Sequence, residues 1–152
     1  MSKLQYGLAT LWLTTAQRRR LDGFCARCLR RILKIPAAFV SRISNARVYQ
    51  AAKMPALSEL VLKRQLLLLG KVARAPAGDP LRADVFVGST TQPQVGRYVR
   101  RVGRPRQEWS TEVMKAAAQK LGSVARLQQL LQQQGDAAES NWKAEVDRMF
   151  VL

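Results

Sequence analysis

The sequence predicts an all-α protein: a helical bundle of about five or six helices in two clusters, joined by a basic linker containing Pro and Gly. Three observations predict it. Apolar residues recur at i, i+3, i+4 spacing through most of the chain. Helix start and stop signals bracket those runs. Only one short stretch, 83–87, reads as a strand. The expected organisation is a basic helical domain over 1–75, a linker with a basic tip over 76–104, and a C-terminal helical segment over 105–152.

The first helix opens at Thr14, with Gln17 three residues on as its capping-box partner. Leu21, Phe24, Cys25, Cys28, Leu29 and Ile32 form its expected apolar face, and Pro36 its expected stop. A short second helix starts at Ser44 and places Val48 and Ala51 on one face. In the third, Ser58 is the expected N-cap, Glu59 complements the dipole, and Leu57 with Leu62 forms a staple. Leu60, Val61, residues 66–69 and Val72 make it apolar over most of its girth, so it is the expected central core helix. Pro76 ends it.

Pro, Gly, Ser and Thr then dominate residues 75–96, ahead of the basic stretch 96–106. The tail reads as three helices: 105–121 stopped by Gly122, 123–134 stopped by Gly135, and 136 to about 150 opened by a capping box of Asp136 and Glu139. Trp109, Val113, Ala116 and Ala117 share one face, and Trp142, Val146, Met149 and Phe150 another.

Charge narrows the function. The formal net charge of +16 divides as +13 over residues 1–74, +4 over 75–106 and −1 over 107–152. The excess falls on segments with helical periodicity, so it marks a folded cationic surface, whose commonest partner is nucleic acid. The first 21 residues lack acids and carry Lys3, Arg18, Arg19 and Arg20, which mimics a mitochondrial presequence. The expected location is intracellular, nuclear or cytoplasmic, with mitochondria as an alternative. Two cysteines three apart fit a reducing compartment, and no apolar run is long enough to span a membrane, so no membrane partner is expected.

Catalysis finds little support. The chain has no histidine, which removes the usual general base, the Ser-His and Cys-His nucleophile pairs and the commonest zinc ligand. Metal-assisted phosphoryl transfer needs clustered carboxylates, and residues 1–106 offer only Asp22, Glu59, Asp79 and Asp84. Glu108 and Glu112 read as a solvated face at a helix start. Cys25-Ala-Arg-Cys28 lacks a second ligand pair for zinc, and both cysteines are expected to be buried as small hydrophobes. No catalytic, cofactor-binding or metal-binding residue is therefore expected, and no cofactor.

The expected contact residues are cations. Arg18, Arg19 and Arg20 occupy one turn of the first helix, and Arg27, Arg30, Arg31 and Lys34 extend a stripe along it. Arginine suits a bidentate grip on phosphate. Like charges at i, i+4 repel, so the stripe costs stability unless an anion binds it. Arg100, Arg101, Arg104 and Arg106 form a second basic element, with Gly103 and Pro105 between them.

Several motifs occur in order: Tyr6-Gly7-x-x-Thr10; Leu13-Thr14; Arg19-Arg20-Leu21-x-x-Phe24; Cys28-Leu29-Arg30-Arg31-Ile32-Leu33-x-Ile35; Ser44-Asn45-x-x-Val48; Pro55-x-Leu57-Ser58-x-Leu60; Leu69-Gly70; Gly103-Arg104-Pro105-Arg106-x-x-Trp109; and Ser140-Asn141-Trp142-Lys143. Their order and spacing resemble the region after the polymerase palm in the reverse transcriptases of LINE-type (non-LTR) retrotransposons, over nearly the whole chain. Departures are Ala9 and Leu11 where the family's Y-G-x-E-T-W has Glu and Trp, and Lys71 where its L-G-H has His. The resemblance implies a thumb-like fragment without the Y-x-D-D metal site. The expected function is a non-catalytic grip on the template or primer backbone, with RNA, DNA or both as partner. The alternatives are a subunit, or decayed part, of an RNA-directed DNA polymerase whose palm lies on another chain, and a structural basic protein of an RNA-protein or organellar complex.

Overall fold

The computed structural model describes residues 7–96 and 108–150. Among them it is all-helical, with eight α-helices: α1 Thr15–Ile32, α2 Ala38–Ser41, α3 Asn45–Ala51, α4 Leu57–Arg74, α5 Pro80–Val85, α6 Trp109–Leu121, α7 Val124–Gln132 and α8 Asp136–Met149. A 3-10 turn, Leu8–Thr10, precedes α1. The count exceeds the expected five or six because α2 and α5 are too short to show a period. No helix among the described residues is long and apolar enough to cross a membrane.

The chain divides into two compact units. One is Leu13–Leu62; the other combines Met1–Trp12 with Lys63–Val151. Compactness therefore draws its boundaries at 12/13 and 62/63, within α4, rather than at 75 and 105. The smaller unit holds α1, α2, α3 and the first turns of α4. Thr14 forms the expected capping box, its backbone N–H donating to Gln17 Oε1 at 2.8 Å. α1 ends in a Schellman turn: Lys34 adopts φ 55°, and the Ile35 N–H returns to the Arg30 carbonyl at 2.9 Å. Arg42 (φ 52°) and Lys53 (φ 51°) take the same left-handed conformation just past α2 and α3. These cations sit where helix dipoles favour positive charge, which offsets part of the steric cost of a non-glycine residue there.

The core of this unit is Ala26 and Leu29 of α1 against Val48 and Tyr49 of α3, with Cys25, Ile35, Ile43, Ala52 and Ala56 packed around them. Three expectations change here. Ala51 is exposed, and Tyr49 takes its place in the core. Of the expected α1 face, Phe24, Cys28 and Ile32 are exposed. Ser58 is not an N-cap: α4 begins at Leu57, and the carboxylate of Asp22 on α1 accepts both the Ser58 N–H (2.8 Å) and its hydroxyl (2.7 Å). That long-range cap, together with Arg30, sets the rotation of α1 about its axis. The side carrying Asp22, Ala26, Leu29 and Arg30 must face inward.

The Tyr49 hydroxyl donates to the Asp22 carbonyl at 2.7 Å. Burial, then the Cys25 thiol, then the Asp22 charge push the phenol above its ordinary range. A raised acid binds its proton more tightly when folded. Its contribution is therefore complete below the unfolded value near 10 and is lost as pH rises beyond it. Urea midpoints measured from neutral pH to about pH 11 should fall further for the wild type than for Tyr49→Phe. Equal falls would mean that Tyr49 does not couple to folding.

In the larger unit, α4 runs through the core with Leu66, Leu69 and Ala73 fully buried, as its apolar girth predicts. Buried Gln65 donates to the Leu11 carbonyl at 2.6 Å, and the Trp109 indole N–H to the Ala9 carbonyl at 2.8 Å; together they fasten the 3-10 segment. Trp142 of α8 lies across α4 at Gly70, with its N–H on the Leu66 carbonyl at 2.9 Å. Gly122 (φ 73°) closes α6, and α8 begins with Gly135 as N-cap in place of the expected Asp136.

The stretch expected to be a linker is folded as far as residue 96. Asp79 caps α5, accepting from the Leu81 N–H at 2.8 Å, so 80–85 is helical where a strand was expected at 83–87. Phe86, an isolated bridge partner of Pro93, is buried. Arg82 is buried under it and donates to the carbonyls of Ala73 and Ser89. A loop rich in Pro and Gly still packs when a buried arginine satisfies its carbonyls.

Candidate nucleic-acid interface

The smaller unit carries ten Lys/Arg against two Asp/Glu over residues 13–62, a net of +8. Both carboxylate oxygens of Asp22 are taken up by Ser58. Glu59 lies in the first turn of α4, where the dipole favours an anion. The described ion pairs all belong to the larger unit: Lys63–Asp147 at 2.7 Å, Lys115–Glu112 at 3.3 Å, and Glu145 with Arg126 at 2.5 Å and Arg148 at 3.3 Å. There, Lys63 holds the Asp147 carboxyl below its ordinary range, chiefly through their hydrogen bond.

The arginines of α1 separate into distinct roles. Arg19, Arg20, Arg27 and Arg31, and Lys34 just beyond the helix, are exposed and make no ion pair among the described residues. At 3.6 residues per turn, Arg20, Arg27 and Arg31 fall within about 40° of one another and span about 16 Å of helix. Arg19 lies to one side of that row. Arg18 is half-buried, and its Nε donates to the Leu13 carbonyl at 3.1 Å across the capping turn.

Arg30 does not belong to the interface. It is only 5% exposed, and its guanidinium donates to the Pro36 carbonyl (3.2 Å), Ser41 Oγ (3.3 Å), the Ile43 carbonyl and Asn45 Oδ1 (3.4 Å). It thereby ties the α1–α3 connection to α1. Sequence could not separate it from Arg31, because its acceptors are mostly backbone carbonyls. Conversely, Arg42, Arg47 and Lys53 are further exposed cations of the same unit that the stripe omitted. The charge excess of residues 1–74 was the available signal for them. Arg100, Arg101, Arg104 and Arg106 lie outside the described residues.

The carboxylates weighed for metal chemistry have structural partners. Asp79 caps α5, Glu112 pairs with Lys115, and Glu108 Oε1 accepts from the Gly96 N–H at 3.3 Å. No group of three or more His, Cys, Asp or Glu among the described residues could hold a metal ion. Against known proteins, the chain matches no family model, no curated protein and no solved structure.

Proposed function

We propose that this chain is a non-catalytic nucleic-acid-binding protein related to the post-palm region of a non-LTR retrotransposon reverse transcriptase. It grips the phosphate backbone of RNA or DNA through α1 of its smaller unit. The observation that carries the reading is the row Arg20, Arg27 and Arg31: on one helix face, exposed and without ion pairs among the described residues, on a unit of net charge +8. Self-repulsion of this kind is relieved by a polyanion.

The kinship part rests on the sequence motifs. Residues from separate motifs meet in space: Arg30 with Asn45, and Gly70 with Trp142.

Phosphate binding releases counter-ions, so affinity should fall with salt at a log–log slope of about −0.9 per phosphate neutralised on a duplex. Changing Arg20, Arg27 and Arg31 together to Gln should shallow that slope by about 3 and weaken binding to all sequences alike. Arg30 stays unchanged, since removing it would test folding instead. The measurement is a salt titration of binding to labelled nucleic acid. Unchanged affinity and slope in the triple variant would reduce the row to a solvated face.

A further inference from the structure

The solvent side of α1 carries two rows that lie side by side at Phe24 and diverge toward Ile32. One is Arg20, Arg27 and Arg31. The other is Phe24, Cys28 and Ile32, each one turn from the next. Phe24 is 47% exposed, Ile32 is 73% exposed, and Cys28 is exposed. Helical spacing assigns this second row to the core, but the core forms without it. A single exposed apolar side chain needs no explanation. Three in one row, alongside unpaired arginines, form a surface with two chemistries side by side.

The arrangement discriminates among polyanions. A duplex turns phosphates outward and keeps its base faces stacked inside, so it would use the arginine row and leave the apolar row idle. An unpaired strand offers both surfaces, with phosphates along one edge and open base faces along the other. An anionic membrane fits less well. Interfacial helices bury an apolar stripe between flanking cations, whereas the arginines of α1 flank the apolar row on one side only, and half-buried Leu21 and Cys25 lie on its other side.

We infer that α1 takes unpaired nucleic acid, with the backbone along Arg20, Arg27 and Arg31 and a base stacked on the Phe24 ring. This rests on the phosphate-binding reading above and adds the state of the strand. Cys28 and Ile32 extend the apolar row for the neighbouring base.

Fluorescence anisotropy of the full chain tests it, with labelled oligothymidylate and oligouridylate, a hairpin duplex of equal charge, and phosphatidylserine vesicles. The wild type should bind the single strands more tightly than the duplex. Phe24→Leu keeps apolar bulk without the ring; it should weaken single-strand binding by about 5- to 50-fold, from the usual size of a base–aromatic stack, and duplex binding by less than about two-fold. Phe24→Trp should retain single-strand binding, and Arg27→Gln with Arg31→Gln should weaken both. The inference is overturned if the wild type shows no single-strand preference, if Phe24→Leu affects both ligands equally or neither, or if Phe24→Trp falls as far as Phe24→Leu. In those cases the phosphate reading still stands, provided the arginine variant weakens both ligands. If the arginine variant changes neither, the phosphate reading itself fails. Vesicle binding abolished by Phe24→Leu, without a single-strand preference, would assign the face to lipid and overturn the inference.

Discussion

Replacing Gly70 with alanine should destabilise the larger unit by about 2–4 kcal/mol, although glycine-to-alanine changes in a helix ordinarily stabilise. Helix propensity alone favours alanine at this mid-helix position by about 1 kcal/mol. The space is already occupied. A Cβ there would overlap Nε1 and Cδ1 of the Trp142 indole and approach Cε2 to 2.9 Å. Trp142 is 2% exposed, and its N–H is committed to the Leu66 carbonyl one turn earlier on α4. The indole can yield only by leaving that carbonyl and opening the α4–α8 contact. Gly23 on α1 is the control, since a Cβ there meets nothing within 4 Å. Gly23→Ala should raise stability by about 0.5–1 kcal/mol. Thermal unfolding of both variants checks the pair. Opposite shifts are expected, the loss at Gly70 on the order of 10 °C; a Gly70→Ala variant as stable as Gly23→Ala would show that the indole does not rest on the α4 backbone.

Arg30→Gln and Arg31→Gln should separate folding from binding at adjacent positions. Arg30→Gln removes the buried guanidinium that joins the carbonyls of Pro36 and Ile43 to the side chains of Ser41 and Asn45. The expected loss is about 2–4 kcal/mol, which threatens folding of so small a unit. Arg30→Lys should not rescue it, because a single ammonium cannot span acceptors arranged for a planar fork. Arg31→Gln should change stability by less than about 0.5 kcal/mol, as expected of an exposed site, and should weaken nucleic-acid binding instead. Denaturant unfolding and a binding titration on the same preparations decide it. A stable Arg30→Gln protein would remove Arg30 from the scaffold and return it to the interface.

Much of the fold was legible because its signals are local. The capping box at Thr14, the helix start at Ser44, the Gly122 stop and the apolar girth of α4 are each determined within a few residues, and the structure keeps them, with Ser44 as the N-cap. What escaped involved partners distant in sequence. Ser58 read as a cap because its own side chain suits that role, yet the group at the start of α4 is Asp22, 36 residues earlier. The 76–96 stretch read as a linker because Pro and Gly dominate it, yet Arg82 gathers its carbonyls into a folded segment.

The candidate site shows the same division. Sequence alone determined that the protein is helical, that positive charge concentrates in residues 1–74, and that α1 carries both arginines and apolar residues. Helical periodicity fixes which side chains share a face, but it leaves free the rotation of that helix about its axis. Only the tertiary structure decided that rotation, through the hydrogen bonds of Asp22 and Arg30, which turn one side of α1 inward. The same turn buries one arginine of the stripe, leaves Arg20, Arg27 and Arg31 in a row, and exposes Phe24 beside them. The physical reason is that a buried charged group must find its acceptors. Those bonds outweigh the modest gain from covering the apolar row of Phe24, Cys28 and Ile32.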